Sequence, residues 1–346
     1  MWKSSDYCLA YGNIHAPYLN DPFLHLMSRL KLKDVLIVLK LAVSTVLLVI
    51  LFRRADVSTM AVRFRQMDPA WTIAALGVYG LMLAVSAWRW RLLLRLQTID
   101  VSLSTLTKSF LVATFFNNFL PSNIGGDVVR VADTAPFAGS KTLATTVVLL
   151  DRILGLIALL VLAAAASALA WNLGLRLDGM QYVWAALVVF TGGLLICLRN
   201  PDRLARTVRS VLADRLLAVQ TRLQNLVAAM GRFAQQPRGL WFAFGGALIV
   251  QVLLVLFYVC AARSLAVPFP LLAASVIVPI SLAVQMVPVS INGFGVREAV
   301  FAFFFTGLGL NVSSALTLSL GSAALIMLFS LSGGAVFMLR PKGARL

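Results

Sequence analysis

Two short segments hold most of the residues in this sequence that could do chemistry. The first runs from Asn117 to Arg130 (Asn-Asn-Phe-Leu-Pro-Ser-Asn-Ile-Gly-Gly-Asp-Val-Val-Arg), the second from Val287 to Glu298 (Val-Pro-Val-Ser-Ile-Asn-Gly-Phe-Gly-Val-Arg-Glu). Aligned, both contain Pro-x4-Gly-x2-Val-Arg, so that Pro121 matches Pro288, Gly126 matches Gly293 and Arg130 matches Arg297. Proline and glycine interrupt a helix, release backbone groups and let another chain or a ligand come close. An arginine fork holds a phosphate through two parallel hydrogen bonds. The chemistry that fits this combination is recognition of an anion, and of phosphate in particular.

Other chemistries lack their residues. Both histidines, His15 and His25, fall in the first 26 residues, and Glu298 is the only glutamate. The body of the chain therefore has no histidine triad, no histidine metal site and no pair of glutamates. Cys8, Cys197 and Cys260 show neither metal-ligand nor disulfide spacing. No catalytic residue, metal or cofactor is expected, and the chain is read as a non-enzyme. It also lacks Gly-x4-Gly-Lys-Ser/Thr, so any driving force would come from a gradient, a partner or mass action.

The elements that position the two segments are membrane helices. The 346 residues are 60% hydrophobic and 12% charged, with a mean hydropathy of +0.90. Soluble domains carry about 25% charged residues. Apolar runs long enough to cross a hydrocarbon core give eight expected spans, at about 35–52, 70–88, 142–170, 181–198, 240–262, 270–287, 298–310 and 314–339. Trp71, Trp88, Trp90, Trp171, Trp184 and Trp241 fall at or near their ends, the headgroup level that indole rings favour. The run 103–120 is too broken by Thr107, Lys108, Ser109, Asn117 and Asn118 to be a plain span, and reads as a re-entrant segment. The short seventh span would be one limb of a second broken element, with both motifs opening from the same face. The expected fold is all-α, a polytopic membrane protein of about eight transmembrane helices with two broken or re-entrant elements.

Ionisable groups recur within this apolar body: Asp127 and Arg130 in the first motif, Asp151 and Arg152 in the third span, Arg297 and Glu298 in the second motif. Such groups mark a substrate path or a buried ion pair, and the sequence leaves both readings open. Adjacent residues do not face each other on a helix, so Asp151 and Arg152 are expected to find separate partners.

The net charge of +17, from 30 Lys+Arg against 13 Asp+Glu, would in a soluble protein point to nucleic acid. Here the basic residues cluster between apolar runs, so no nucleic-acid partner is expected. Arg29, Lys31 and Lys33, eight arginines of the 199–239 connection, and Arg340, Lys342 and Arg345 place both termini in the cytoplasm of a bacterial inner membrane. Arg53, Arg54, Arg63 and Arg65 do not fit that orientation. Segment 199–239 has apolar residues at helical spacing. It reads either as a basic amphipathic helix on the anionic leaflet or as a helix packed on the bundle. Residues 1–26 are polar and aromatic, without the apolar region of a signal peptide; they read as a disordered or mis-started tail preceding a domain at 27–346.

Together with Asp151-Arg152-Ile-Leu-Gly155, the two motifs resemble the lysylphosphatidylglycerol synthase transmembrane region, also called the flippase-like domain, the membrane half of the multiple peptide resistance factor. The resemblance covers about residues 30–340. It implies a domain that moves a modified phospholipid or glycolipid between leaflets, with membrane lipids and a lipid-modifying enzyme as partners. The alternative is a membrane subunit or scaffold of a lipid-modifying transferase. The full-length factor continues into an aminoacyl-transferase domain, which this sequence does not contain, so lysyl transfer is not expected of it. Carried over by motif position, the headgroup candidates are Asn118, Pro121, Gly125, Gly126, Asp127, Arg130, Arg152, Pro288, Gly293, Gly295, Arg297 and Glu298.

Overall fold

A computed structural model describes residues 32–120, 125–173, 180–199, 233, 235–286, 290 and 292–340. Among these residues every regular element is a helix: α1 (Leu32–Arg53), α2 (Val57–Arg65), α3 (Pro69–Arg95), α4 (Leu103–Phe119), α5 (Gly125–Ala138), α6 (Lys141–Asn172), α7 (Met180–Arg199), α8 (Pro237–Ser264), α9 (Leu271–Gln285), α10 (Val296–Gly307) and α11 (Val312–Met338). The tail 1–26 and nearly all of the basic connection 199–239 lie outside the described residues.

Several starts are set by side-chain caps that accept the free N–H groups of a first turn. Asp68 caps α3 ahead of Pro69, Ser102 caps α4, Ser140 caps α6 and Asn311 caps α11. Burial is inverted relative to a soluble protein. Ile73, Val188 and Phe242 are about 70% exposed, whereas Arg89, Arg130, Asp151, Arg297 and Glu298 are buried. A surface of bare aliphatic and aromatic groups around a charged interior is stable only in hydrocarbon. Four helices, α3, α6, α8 and α11, are long and apolar enough to cross a membrane, and the chain is a multi-pass membrane protein. Apolar side chains gain little by leaving lipid for protein, so helix contacts depend on close backbone approach. Small residues are buried along α8, Ala243, Gly246, Ala247, Ala261 and Ala262, and Gly246 lies directly against Trp88 and Arg89 of α3.

The pair α3 and α8 sets direction. At one face the Asp68 N–H, at the start of α3, donates to the Ser264 carbonyl at the end of α8 (2.9 Å). At the other face the Gln236 amide, ahead of α8, donates to the Leu96 carbonyl beyond α3 (3.3 Å). The two helices are therefore antiparallel. Helix α11 starts at the first of these faces, where Ser313 accepts from the Asp56 N–H.

This geometry changes the reading of the broken elements. The expected sixth and seventh spans are helices of 15 and 12 residues, about 22 and 18 Å long at 1.5 Å per residue, short of a hydrocarbon core of roughly 30 Å. They fold back on each other as a hairpin, with Phe269 ahead of α9 against Phe301 and Phe305 of α10. Helices α4 and α5 form a matching hairpin, in which Gly126 lies against Ala113 and Asn117. The α4–α5 hairpin follows the end of α3 and the α9–α10 hairpin follows the end of α8. Their bases lie at opposite faces, which corrects the expectation that both motifs open from one. The tips meet: the Asn292 amide donates to the Asn118 carbonyl (3.1 Å).

Cysteines placed at the two hairpin bases test this arrangement. With the native cysteines replaced, Lys141→Cys and Gly307→Cys, both at exposed positions, are expected to react with an impermeant maleimide from opposite sides of sealed vesicles. Labelling of both from one side would contradict the opposed hairpins.

Candidate functional site

Where the tips meet lies a partly open cavity of about 440 Å³, within the roughly 300–1,000 Å³ of small-molecule sites. It is lined at the middle of each long helix: Tyr79, Met82 and Leu83 of α3, Arg152 and Leu159 of α6, Gln251, Leu254 and Tyr258 of α8, and Ala323, Ile326 and Met327 of α11. The first hairpin adds Phe110, Thr114, Asn117 and Asn118. The second adds Gln285, Met286, Asn292, Phe294 and Arg297.

The first tip is built on Gly126. Its N–H donates to the Asn117 carboxamide oxygen (2.7 Å), and a Cβ there would fall 2.6 Å from the Asn117 nitrogen, so only glycine lets α5 start this close to α4. Gly125, the first residue of α5, faces the Phe116 carbonyl. The second tip turns through three left-handed residues, Asn292 (φ 50°), Gly293 (φ 77°) and Gly295 (φ 83°). Left-handed backbone favours glycine, with asparagine the tolerated alternative. Gly295 is also pressed against the α1 backbone at Ser44. Pro121 and Pro288 lie outside the described residues.

Behind the first hairpin runs a chain of alternating charges. Asp151 of α6 accepts from Arg89 of α3 and Arg130 of α5, each at 2.8 Å. Arg130 lies 3.8 Å from Asp127, which pairs in turn with Arg152. The guanidinium of Arg130 stacks between Trp90 and Phe110, 4.4 and 4.5 Å from their ring centres. Side-chain exposure along the chain is 6% for Arg89, 3% for Asp151, 6% for Arg130, 17% for Asp127 and 36% for Arg152. The network thus begins in dry protein and surfaces only at Arg152, on the cavity wall.

The second hairpin has a smaller cluster. Arg297 donates to Glu298 and to the Ser319 hydroxyl, both at 2.8 Å, and Ser319 donates to Glu298 (2.8 Å). The other carboxylate oxygen of Glu298 accepts the Gly295 N–H (2.7 Å), a reach-back that caps the first turn of α10. Arg297 and Glu298 are neighbours in sequence and still pair, because both turn toward Ser319.

The matched arginines are consequently not equivalent. Arg297 lines the cavity, while Arg130 is enclosed by its ion pairs and aromatic rings. Of the positions expected from the sequence, Asn118, Arg152 and Arg297 reach the cavity wall. Asp127, Arg130 and Glu298 stand behind it, and Gly125, Gly126, Gly293 and Gly295 shape the tips. Asp151 and Arg152 do have separate partners, as expected. Arg89, Asn292, Gln251, Tyr258 and Ser319 were not singled out by the sequence. The Trp88-Arg89-Trp90 run reads as a headgroup boundary, yet α3 continues to Arg95.

The sequence model of the lysylphosphatidylglycerol synthase TM region matches residues 37–334. The chain belongs to that family. Comparison with curated proteins finds no match. The lysylphosphatidylglycerol synthase TM region is a membrane domain associated with lipid modification or flipping. In this member the matched stretch contains both hairpins, both charge clusters and every residue of the cavity wall.

Asp151 carries the heaviest structural load. Removing one partner of a buried ion pair costs about 3–5 kcal/mol, because the other is left uncompensated. Asp151→Asn is expected to lower thermal stability in detergent sharply or to prevent accumulation. Asp133→Asn, which breaks the more exposed pair with Arg340, should cost about 1 kcal/mol. Equal melting temperatures for the two variants would refute the ranking.

Proposed function

We propose that the chain is a translocase, or the accessory of one, that passes the headgroup of a phospholipid or glycolipid through the central cavity while the acyl chains stay in the membrane. The bacterial inner membrane, with both termini cytoplasmic, is the setting that the distribution of Lys and Arg favours. One observation carries the reading. Two broken hairpins enter from opposite faces and meet by a single described hydrogen bond, beside a cavity at the middle of the long helices whose largely apolar wall carries Arg152, Arg297 and several amides. Broken helices at corresponding positions in the two halves of a membrane protein are a hallmark of transport sites. Irregular backbone at that depth is tolerated only where it lines a cavity or is buried in protein.

Arg152 brings a guanidinium to the wall for a phosphate, and Arg297, engaged by Glu298 and Ser319, adds a second guanidinium beside it. The Asn292–Asn118 contact joins the two hairpins beside the cavity, and in this reading a headgroup passes when the tips part. As the sequence lacks Gly-x4-Gly-Lys-Ser/Thr, exchange of lipid would run down its gradient, or along one set by a partner.

Transfer of fluorescent lipid between leaflets of proteoliposomes tests the proposal. Arg152→Lys keeps the charge and loses the fork. It is expected to slow transfer about tenfold, an effect of about 1.4 kcal/mol, while melting stays close to that of the parent, since Asp127 retains Arg130. Unchanged transfer in Arg152→Lys would count against headgroup contact at this residue, and no transfer by the parent protein would remove the translocase reading.

A further inference from the structure

The cavity also specifies which headgroup it takes. Resting on the reading above, we propose that it accepts an anionic, hydroxyl-bearing headgroup, such as a phosphoglycerol or a sugar phosphate, and rejects one that carries an ammonium group. This member would then not handle the aminoacylated lipid in its family's name.

The charged side chains of the described wall are Arg152 and Arg297, and no carboxylate lines it. The two nearest acids are already engaged. Asp127 is shared between Arg152 and Arg130. Glu298 is fully buried, with one oxygen on Arg297 and Ser319 and the other on the Gly295 N–H. In the cluster behind Arg152, three guanidinium groups meet two carboxylates, so it leans cationic. An ammonium group entering this space would lose its water, face two guanidinium groups and find only neutral acceptors, which is the costly case for a desolvated charge.

Asn292 spends its amide nitrogen on the Asn118 carbonyl, which fixes the direction of the carboxamide. Its oxygen is buried and has no hydrogen-bond partner among the described residues. A buried acceptor left unpaired is unfavourable and rare. It stands on the cavity wall with Arg297, where the hydroxyl of a glycerol or a sugar would satisfy it while the phosphate engages arginine. Gln251, whose amide nitrogen is held by the Gly155 carbonyl, and Tyr258, bonded to Arg297, are the further uncharged polar groups of this wall. An ammonium N–H could also reach the Asn292 oxygen, but a neutral amide does not offset its charge.

Binding and movement are measured separately, so that a failed translocase and a failed headgroup assignment look different. Short-chain phosphatidylglycerol, its lysyl ester, phosphatidylethanolamine and a lipid-linked sugar phosphate are each titrated onto the full-length protein in detergent, followed by thermal stabilisation. Their tail-labelled forms are then followed in proteoliposomes. Phosphatidylglycerol, the sugar phosphate or both are expected to bind at least about tenfold more tightly than either amine-bearing lipid, a difference of about 1.4 kcal/mol. Which of the two binds identifies the hydroxyl source. Equal or tighter binding of the lysyl ester, or no stabilisation by either anionic lipid, overturns the assignment whatever moves. The expected binding order without transfer of any lipid leaves the assignment standing and removes the translocase reading. Asn118→Asp adds a carboxylate to the wall, and the Asn118 backbone carbonyl can keep its bond to Asn292. It is expected to narrow the preference against the lysyl ester several-fold; an unchanged preference would count against the electrostatic argument.

Discussion

Asp151 is a carboxylate within a long apolar helix, its chain neighbour Arg152 pairing elsewhere, and it is almost wholly shut from solvent. A lone ionised carboxylate in such a place would be prohibitively expensive. It is stable there because two arginines from two other elements meet it, Arg89 from α3 and Arg130 from α5. That requirement fixes three things at once: the distance between α3 and α6, the inclination of α5 into the bundle, and hence the position of the first tip. Trp90 and Phe110 enclose Arg130 from its two faces, so the bond network is held by packing as well as by charge. The next two members, Asp127 and Arg152, transmit that positioning to the cavity wall. A polar site in hydrocarbon depends on this kind of fixed scaffold, because no water is at hand to correct a misplaced charge.

The second half of the chain solves the same problem with different parts. Glu298 has its two oxygens filled by an arginine, a serine and a backbone N–H, and this holds the second tip against α11 and α1. The shared Pro-x4-Gly-x2-Val-Arg pattern places a glycine and an arginine near each tip, yet the local backbones differ. Gly126 is helical and provides close approach, whereas Gly293 is left-handed and provides a turn. One arginine therefore ends in the interior and the other on the wall. The result is a cavity reached by two unlike tips from two faces, with the polar contact between Asn118 and Asn292 joining the tips beside it.

Much of this was legible in the sequence. Helix breaks at both motifs, glycine at the tips, separate partners for Asp151 and Arg152, and the membrane setting all follow from local composition and spacing. What stayed hidden was long-range. Arg89 contacts a residue 62 positions away, and nothing in its own neighbourhood distinguishes it from a boundary arginine beside tryptophan. Hydropathy counts apolar length, so it read α9 and α10 as spans although neither reaches across a bilayer. The opposed direction of the hairpins depends on that error: turning two spans into one hairpin moves the second motif to the other face. Asn292 lay within the motif, but an unsatisfied acceptor is a property of the folded environment and has no sequence signature.

The central claim is that the two tips meet beside the lipid path and must separate for passage. Asn118→Cys with Asn292→Cys, bridged in proteoliposomes by a short reducible dithiol-reactive linker, tests it directly. The account predicts that the bridge forms, that lipid transfer stops in the bridged protein, and that reduction restores it. Full transfer with the tips covalently joined, or failure of every short linker to join them, would contradict it.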